Sequence, residues 1–143
     1  PICPMLWGDN YTTSYTDKVD AGVASSVKSV AEQQKDEGSL LNTYFTFARL
    51  RNTYPSLAEG TMSRHPVYNE TNETYKSLAA WYMTKDKEKM LVLHNFGGAD
   101  IQFPLTDDVE KAVAVSGSAE QTIEEGQTRV KLGAYSSVVF KLK

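Results

Sequence analysis

The chain has 143 residues, 41% of them hydrophobic and 23% charged, with a formal net charge of −3. This is the composition of an ordinary globular protein and excludes intrinsic disorder. Lys and Arg are scattered singly, which excludes a basic face for nucleic acid or an anionic membrane, and no apolar run is long enough to span a bilayer.

Taken in order, Pro1 to Asp20 is rich in Thr, Tyr, Asp and Asn and reads as loop. Ala21 to Gln34 carries Val23, Val27 and Val30 among Ser and Ala, and reads as a turn or two of helix. The polar break Lys35-Asp36-Glu37-Gly38 precedes Ser39, a good N-cap because its hydroxyl can accept from an orphan N–H of the first turn. Ser39 to Tyr54 then reads as one helix. Leu41, Tyr44, Phe45 and Ala48 recur at the spacing of a single helical face, Arg49 and Arg51 suit its C-terminal dipole, and Pro55 excludes the helical conformation at Tyr54. Its apolar arc is about twice the roughly 100° that one packing partner requires.

From Leu57 onward the signals are those of strands. Leu78 to Thr84 is the first strong one, followed by the charged turn Lys85-Asp86-Lys87-Glu88 and the continuous apolar run Met90 to Phe96, which fits a central strand. Gly97-Gly98 turns the chain. Ile101, Phe103 and Leu105 alternate with polar positions, but Pro104 demotes this strand to an edge. Val109 to Val115 and Gln127 to Leu132 follow. Val138, Phe140 and Leu142 alternate with Val139, Lys141 and Lys143, so the first three are expected to face the core. Short strands at this spacing, divided by turn residues, predict a mainly β fold: an antiparallel β-sandwich over 57–143, preceded by a loop-and-helix segment over 1–56.

Chemistry is sparse. There is no glycine-rich phosphate loop and no Gly-x-Ser-x-Gly elbow. His65 and His94 lack metal-ligand spacing, and His94 reads as a satisfied sheet residue. The lone Cys3 permits no internal disulfide. The paired acids Asp107-Asp108 and Glu124-Glu125 read as solvated turn charges. Asn10, Asn69 and Asn72 each open a glycosylation pattern. Trp7, Tyr11 and Tyr15, in a polar stretch, are the candidate carbohydrate contacts, and Trp81 and Tyr82 should lie on opposite faces of one strand. No catalytic residue, metal ligand or cofactor site is expected in the chain.

Three stretches together resemble the α-amylase family of glycoside hydrolases. Pro4-Met5-Leu6-Trp7 resembles a Pro-Met-x-Trp stretch late in the catalytic barrel. Val30 to Arg51, with Ser39-Leu40-Leu41-Asn42, Tyr44 and Leu50-Arg51, is similar to the segment leading into the last barrel helix, and Tyr54-Pro55-Ser56-Leu57 and Gly60 follow as they do there. Leu91 to Phe96 and Ala134 to Phe140 resemble two strands of the C-terminal sandwich. Ile2 stands where the family often has Arg. The resemblance implies the end of a (β/α)8 barrel over 1–56 and an α-amylase-type C-terminal β-sandwich over 57–143. It also implies a parent enzyme that hydrolyses α-glucosidic bonds of starch or maltooligosaccharides, using carboxylates on earlier barrel strands that this chain lacks. The chain, which opens without an initiator Met, is then expected to be a processed or excised non-catalytic piece of a bacterial, extracytoplasmic protein. Its expected partners are the missing barrel, α-glucan weakly if at all, and a second copy through the Ser39–Tyr54 helix. The alternatives are a starch-binding module, marked by two coplanar exposed aromatics, and a free-standing interaction domain.

Overall fold

The structure, a computed structural model, describes residues 5–8, 11–12, 26–69, 71–124 and 126–143. The chain divides into two compact units, Pro1–Phe47 and Ala48–Lys143.

In the first unit the stretch expected to be loop contains a small antiparallel hairpin, β1 (Leu6–Gly8) paired with β2 (Tyr11–Thr12). Strands this short show no measurable alternation, which is why the sequence reads as loop. The rest of that stretch, with Cys3, Tyr15 and Asn10, lies outside the described residues. Of the turn or two of helix expected within 21–34, the described residues contain α1 (Val30–Lys35); residues 21–25 lie outside the described residues. Its start is set by Ser29 and Glu32 acting reciprocally. Ser29 Oγ accepts from the Glu32 N–H at 3.2 Å, while the Ser29 N–H donates to Glu32 Oε2 at 2.7 Å, satisfying two orphan donors at once.

Helix α2 (Leu40–Thr53) follows. Ser39 caps it as expected, accepting from the Asn42 N–H at 3.2 Å. Asn42 has a second role that spacing alone does not show. Its Nδ2 donates to the carbonyls of Gln33 (2.9 Å) and Asp36 (2.8 Å), closing the free carbonyl end of α1. The Ser-Leu-Leu-Asn stretch is thus a joint between two helices.

In the second unit Pro55 ends α2 and at once begins another helix, α3 (Pro55–Glu59), where strand signals were expected. Proline suits a first helical position because it has no N–H to satisfy and its φ is already helical. The next orphan donor is met from elsewhere: the Ser56 N–H and hydroxyl both donate to Glu88, at 2.9 and 2.7 Å. Two sheets follow. The larger has the order β3 (Thr61–Arg64), β4 (Leu78–Lys85), β5 (Glu88–Asn95), β10 (Ser137–Leu142), β7 (Val109–Ser116); the smaller has the order β6 (Ile101–Leu105), β9 (Gln127–Leu132), β8 (Ala119–Glu124). Every pairing is antiparallel. The β4–β5 turn is tight, with Asp86 at φ 53°, a left-handed conformation that aspartate tolerates better than most residues.

The core lies between the sheets. Val138, Phe140 and Leu142 face it as the alternation predicts, with Leu91 and Leu93 from β5 and Phe103, Leu105, Val130 and Leu132 from the smaller sheet. Pro104 sits on an edge strand, as its missing N–H requires. The fold is the expected mainly β one, and within the two sheets β3 and β8 are the strands that the sequence did not reveal.

Candidate functional site

Of the sequence-predicted sugar contacts, Trp7 lies in β1 with its side chain 46% exposed, and Tyr11 is placed opposite Gly8 in the hairpin register. Tyr15 lies outside the described residues.

A second group of polar residues comes together inside the sandwich. His65 is buried. Its Nδ1 accepts from the N–H groups of Val67 and Tyr68, both at 3.1 Å, so its other nitrogen, Nε2, carries the proton and donates to Asp107 Oδ2 at 3.1 Å. The Tyr82 hydroxyl donates to Asp107 Oδ1 at 2.8 Å, and the Tyr68 hydroxyl donates to the Pro104 carbonyl. The His65 ring stacks on Tyr68 with centroids 4.9 Å apart and lies 5.2 Å from Tyr82. Asp107 is therefore not a solvated turn charge: its side chain is nearly buried, held by two donors from the larger sheet and its approach. Burial raises the Tyr82 phenol, and its bond to Asp107 raises it further; burial, with Tyr75 and Asp107 beside it, pushes Tyr68 up to about 12. A histidine with one nitrogen closed by two backbone donors and the other by a carboxylate has no lone pair or proton to offer a substrate. The group is a strut between the sheets.

Asp108, by contrast, is exposed and paired with Lys143 at 2.8 Å, and Glu124 with Arg129 at 3.0 Å. Among the described residues no group of His, Cys, Asp and Glu is placed to hold a metal ion. Asn69 and Asn72, which open two of the glycosylation patterns, both use their side chains locally. Asn69 Nδ2 donates to the carbonyls of His65 and Pro66, and Asn72 caps the Glu73–Tyr75 turn while donating to Val67.

The remaining concentration of surface chemistry lies on the larger sheet's face away from the core. Trp81 and Tyr82 point to opposite sides as expected, Tyr82 toward the core and Trp81 outward. Trp81 lies 5.7 Å from His94, and His94 lies 5.6 Å from Phe96, which is 64% exposed. His94 Nδ1 is 2.6 Å from Ser137 Oγ, a satisfied sheet residue, and burial holds its basicity below the usual histidine range. Beside these rings is a cavity of about 270 Å³, lined by Trp81, Phe96, Arg64, Asn69, Lys76 and the β4 residues from Leu78 to Ala80. No single stretch of sequence signals it, because its walls come from β3, β4, the end of β5 and the 69–76 loop.

Residues 78–139 match the family described as the α-amylase SusG C-terminal domain. The chain is 61% identical over 140 residues to α-amylase SusG of Bacteroides thetaiotaomicron, covering 97% of this chain and 20% of that protein. It therefore spans about a fifth of the length of the relative it matches. Among solved structures, an α-amylase from H. orenii superposes with a TM-score of 0.73 at 19% identity, covering 97% of this chain and 28% of that one. An isomaltulose synthase from Klebsiella sp. LX3 superposes at 0.63 with 23% identity, covering 80% and 20%. These last likenesses are likenesses of fold. The family match over residues 78–139 and the SusG identity show that the chain corresponds to the C-terminal part of an α-amylase.

Proposed function

We propose that this chain is the non-catalytic C-terminal support of an enzyme that hydrolyses α-glucosidic bonds in starch or maltooligosaccharides. The observation that carries this reading is the 61% identity to an α-amylase across 97% of the chain. A retaining glycosidase works through two carboxyl groups about 5 Å apart across the scissile bond, and the family's acids belong to earlier barrel strands. The chain's own task is structural and uses no cofactor. The parent works outside the cytoplasm of a bacterium, with neither nucleic acid nor membrane as partner.

The partner of this support is the rest of the barrel. Leu40, Tyr44 and Phe45 of α2 are exposed, although each is a side chain that water disfavours. Covering a Phe or Leu is worth about 1.5–3 kcal/mol. In the parent the barrel covers this face. In the isolated chain a second copy does so, since a two-fold contact covers the same patch twice. The binding-module alternative is weaker. Among the described ring contacts the near-parallel pair, His65 with Tyr68, is buried and is not a platform for a sugar.

The test has two arms. The purified 143-residue chain should release no reducing sugar from soluble starch, whereas a protein extended upstream through a whole barrel should. Turnover by the short chain, abolished by replacing one of its own carboxylates, overturns the reading. Light scattering after size exclusion should give a dimer that Phe45→Ser dissolves; a monomer at high micromolar concentration overturns the second-copy contact.

A further inference from the structure

We propose that Met62 is a site of reversible oxidation by peroxide, the exposed end of a row of three methionines that confines the modification to the rim of the larger sheet.

The row is set by register. Met62 of β3 pairs with Met83 of β4, and Met83 pairs with Met90 of β5. Tyr82 and Leu91 point into the core, so the three methionines share the opposite face. Side chains paired directly across strands lie against each other, with Cβ atoms about 5 Å apart. Burial rises along the row. Met62 is 64% exposed, on an edge strand whose four residues are all exposed. Met83 is half-buried, and Met90 has no exposed surface.

A thioether has no proton to lose, so its reaction with peroxide needs access and no activating base. The sulfur lone pair attacks one oxygen of hydrogen peroxide. An S–O bond forms as the O–O bond breaks, sulfur gives up two electrons, and the second oxygen leaves as water with both protons. A thiol-dependent sulfoxide reductase reverses the step: two thiols become a disulfide and the oxygen leaves as water. Position decides the consequence, because the sulfoxide is polar where the thioether was apolar. At Met62 the new oxygen stands in water and displaces no packing. At Met90 it would be a polar group without a partner in a covered layer, which is unfavourable. The row therefore offers peroxide its harmless target first, and Met62 and Met83 stand between the open edge of the sheet and Met90.

Trypsin places each of the chain's four methionines in its own peptide: Met5 in 1–18, Met62 in 52–64, Met83 in 77–85 and Met90 in 90–111. The folded 143-residue chain is exposed to millimolar hydrogen peroxide, and sulfoxide in each peptide is followed by mass spectrometry. Met62 should react within about threefold of the rate of free methionine, Met83 about tenfold more slowly, and Met90 at least about a hundredfold more slowly. In urea the three rates should converge. Met62→Ala, which opens the approach to Met83, should raise the Met83 rate by about threefold, whereas Met5→Ala should leave it unchanged. The chain oxidised at Met62 alone should keep the melting curve of the reduced chain, and the two epimer-specific sulfoxide reductases with dithiothreitol should restore its methionine. Equal rates in the folded chain, oxidation of Met90 before Met62, a Met83 rate indifferent to Met62→Ala, or a Met62 sulfoxide that the reductases cannot remove overturns the proposal.

Discussion

The two sheets of the sandwich solve the same packing problem under different constraints. In the smaller sheet, β9 reads Gln-Thr-Arg-Val-Lys-Leu, with Val130 and Leu132 buried and Lys131 in solvent. That is the pattern of an antiparallel sheet with one wet face. In the larger sheet, β5 buries Leu91 and Leu93 toward the core and also buries Met90, with no exposed surface, on the opposite face. In β10, Val139 is buried opposite Phe140 in the same way. Helix α3 packs over β4 and β5, anchored by Ser56 on Glu88 and by the ion pair between Lys85 and Glu59. The difference teaches that one sheet closes the domain and the other is a middle layer, bearing the core on one side and helix on the other. A continuous apolar run marks the middle layer, and strict alternation marks the outer one.

The largest expected effect tests that contrast directly. Phe140→Ala removes a ring from the core and should cost about 3–5 kcal/mol in denaturant melts. Met90→Ala removes an equally buried side chain from the opposite face, and should cost about 2–5 kcal/mol. A loss below about 1 kcal/mol for Met90→Ala would show that the second face is not a packed layer.

The next effect concerns the polar strut. Asp107→Ala leaves the His65 Nε2–H and the Tyr82 hydroxyl without their acceptor in a nearly dry site, and each orphaned group costs about 1–3 kcal/mol. Asp108→Ala, next in sequence but exposed and paired only with Lys143, should cost about 0–1 kcal/mol. Equal losses for the two neighbours would remove the distinction between them.

That pair also shows what the sequence could and could not reveal. Ser39 as a cap, Pro104 on an edge strand and the inward row Val138, Phe140 and Leu142 were all legible, because each depends on local backbone chemistry or on period. Asp107 was not. Two adjacent aspartates look alike until the fold brings His65 and Tyr82, distant in sequence, onto one of them. The cavity beside Trp81 escaped for the same reason. Strand β8, Ala-Glu-Gln-Thr-Ile-Glu, escaped for a different one: a strand lying mostly in water needs no apolar alternation. Helix α3 was hidden by its length, since five residues hold little more than one turn.

A smaller effect should appear at high pH. An unfolded tyrosine loses its proton near pH 10, whereas burial keeps the proton on Tyr68 up to about 12 and raises Tyr82 as well. Below pH 10 both states hold the proton and stability is unaffected. Above it, the unfolded chain releases protons that the folded chain retains, so stability falls as the pH rises from about 10 toward 12. Tyr68→Phe should lower stability at neutral pH by removing the bond to the Pro104 carbonyl, but should flatten the alkaline slope. A slope unchanged in both Tyr68→Phe and Tyr82→Phe would show that these phenols do not set it.

The smallest effect belongs to the far edge of the smaller sheet. Ile123 is opposite Thr128 in β9, on the face that bears Val130 and Leu132, so its position in the register is an inward one. Its side chain is nevertheless 75% exposed, and β8 contributes to the core only through Ala119. Inward direction without a layer opposite gives almost no burial, and burial is what stabilises. Ile123→Thr keeps the β-branched shape that a strand favours and should change stability by no more than about 0.5 kcal/mol. Met90→Ala provides the converse, an outward position that is fully covered. If Ile123→Thr cost as much as Met90→Ala, register would govern stability here; if it costs almost nothing, the deciding quantity is whether another layer lies opposite.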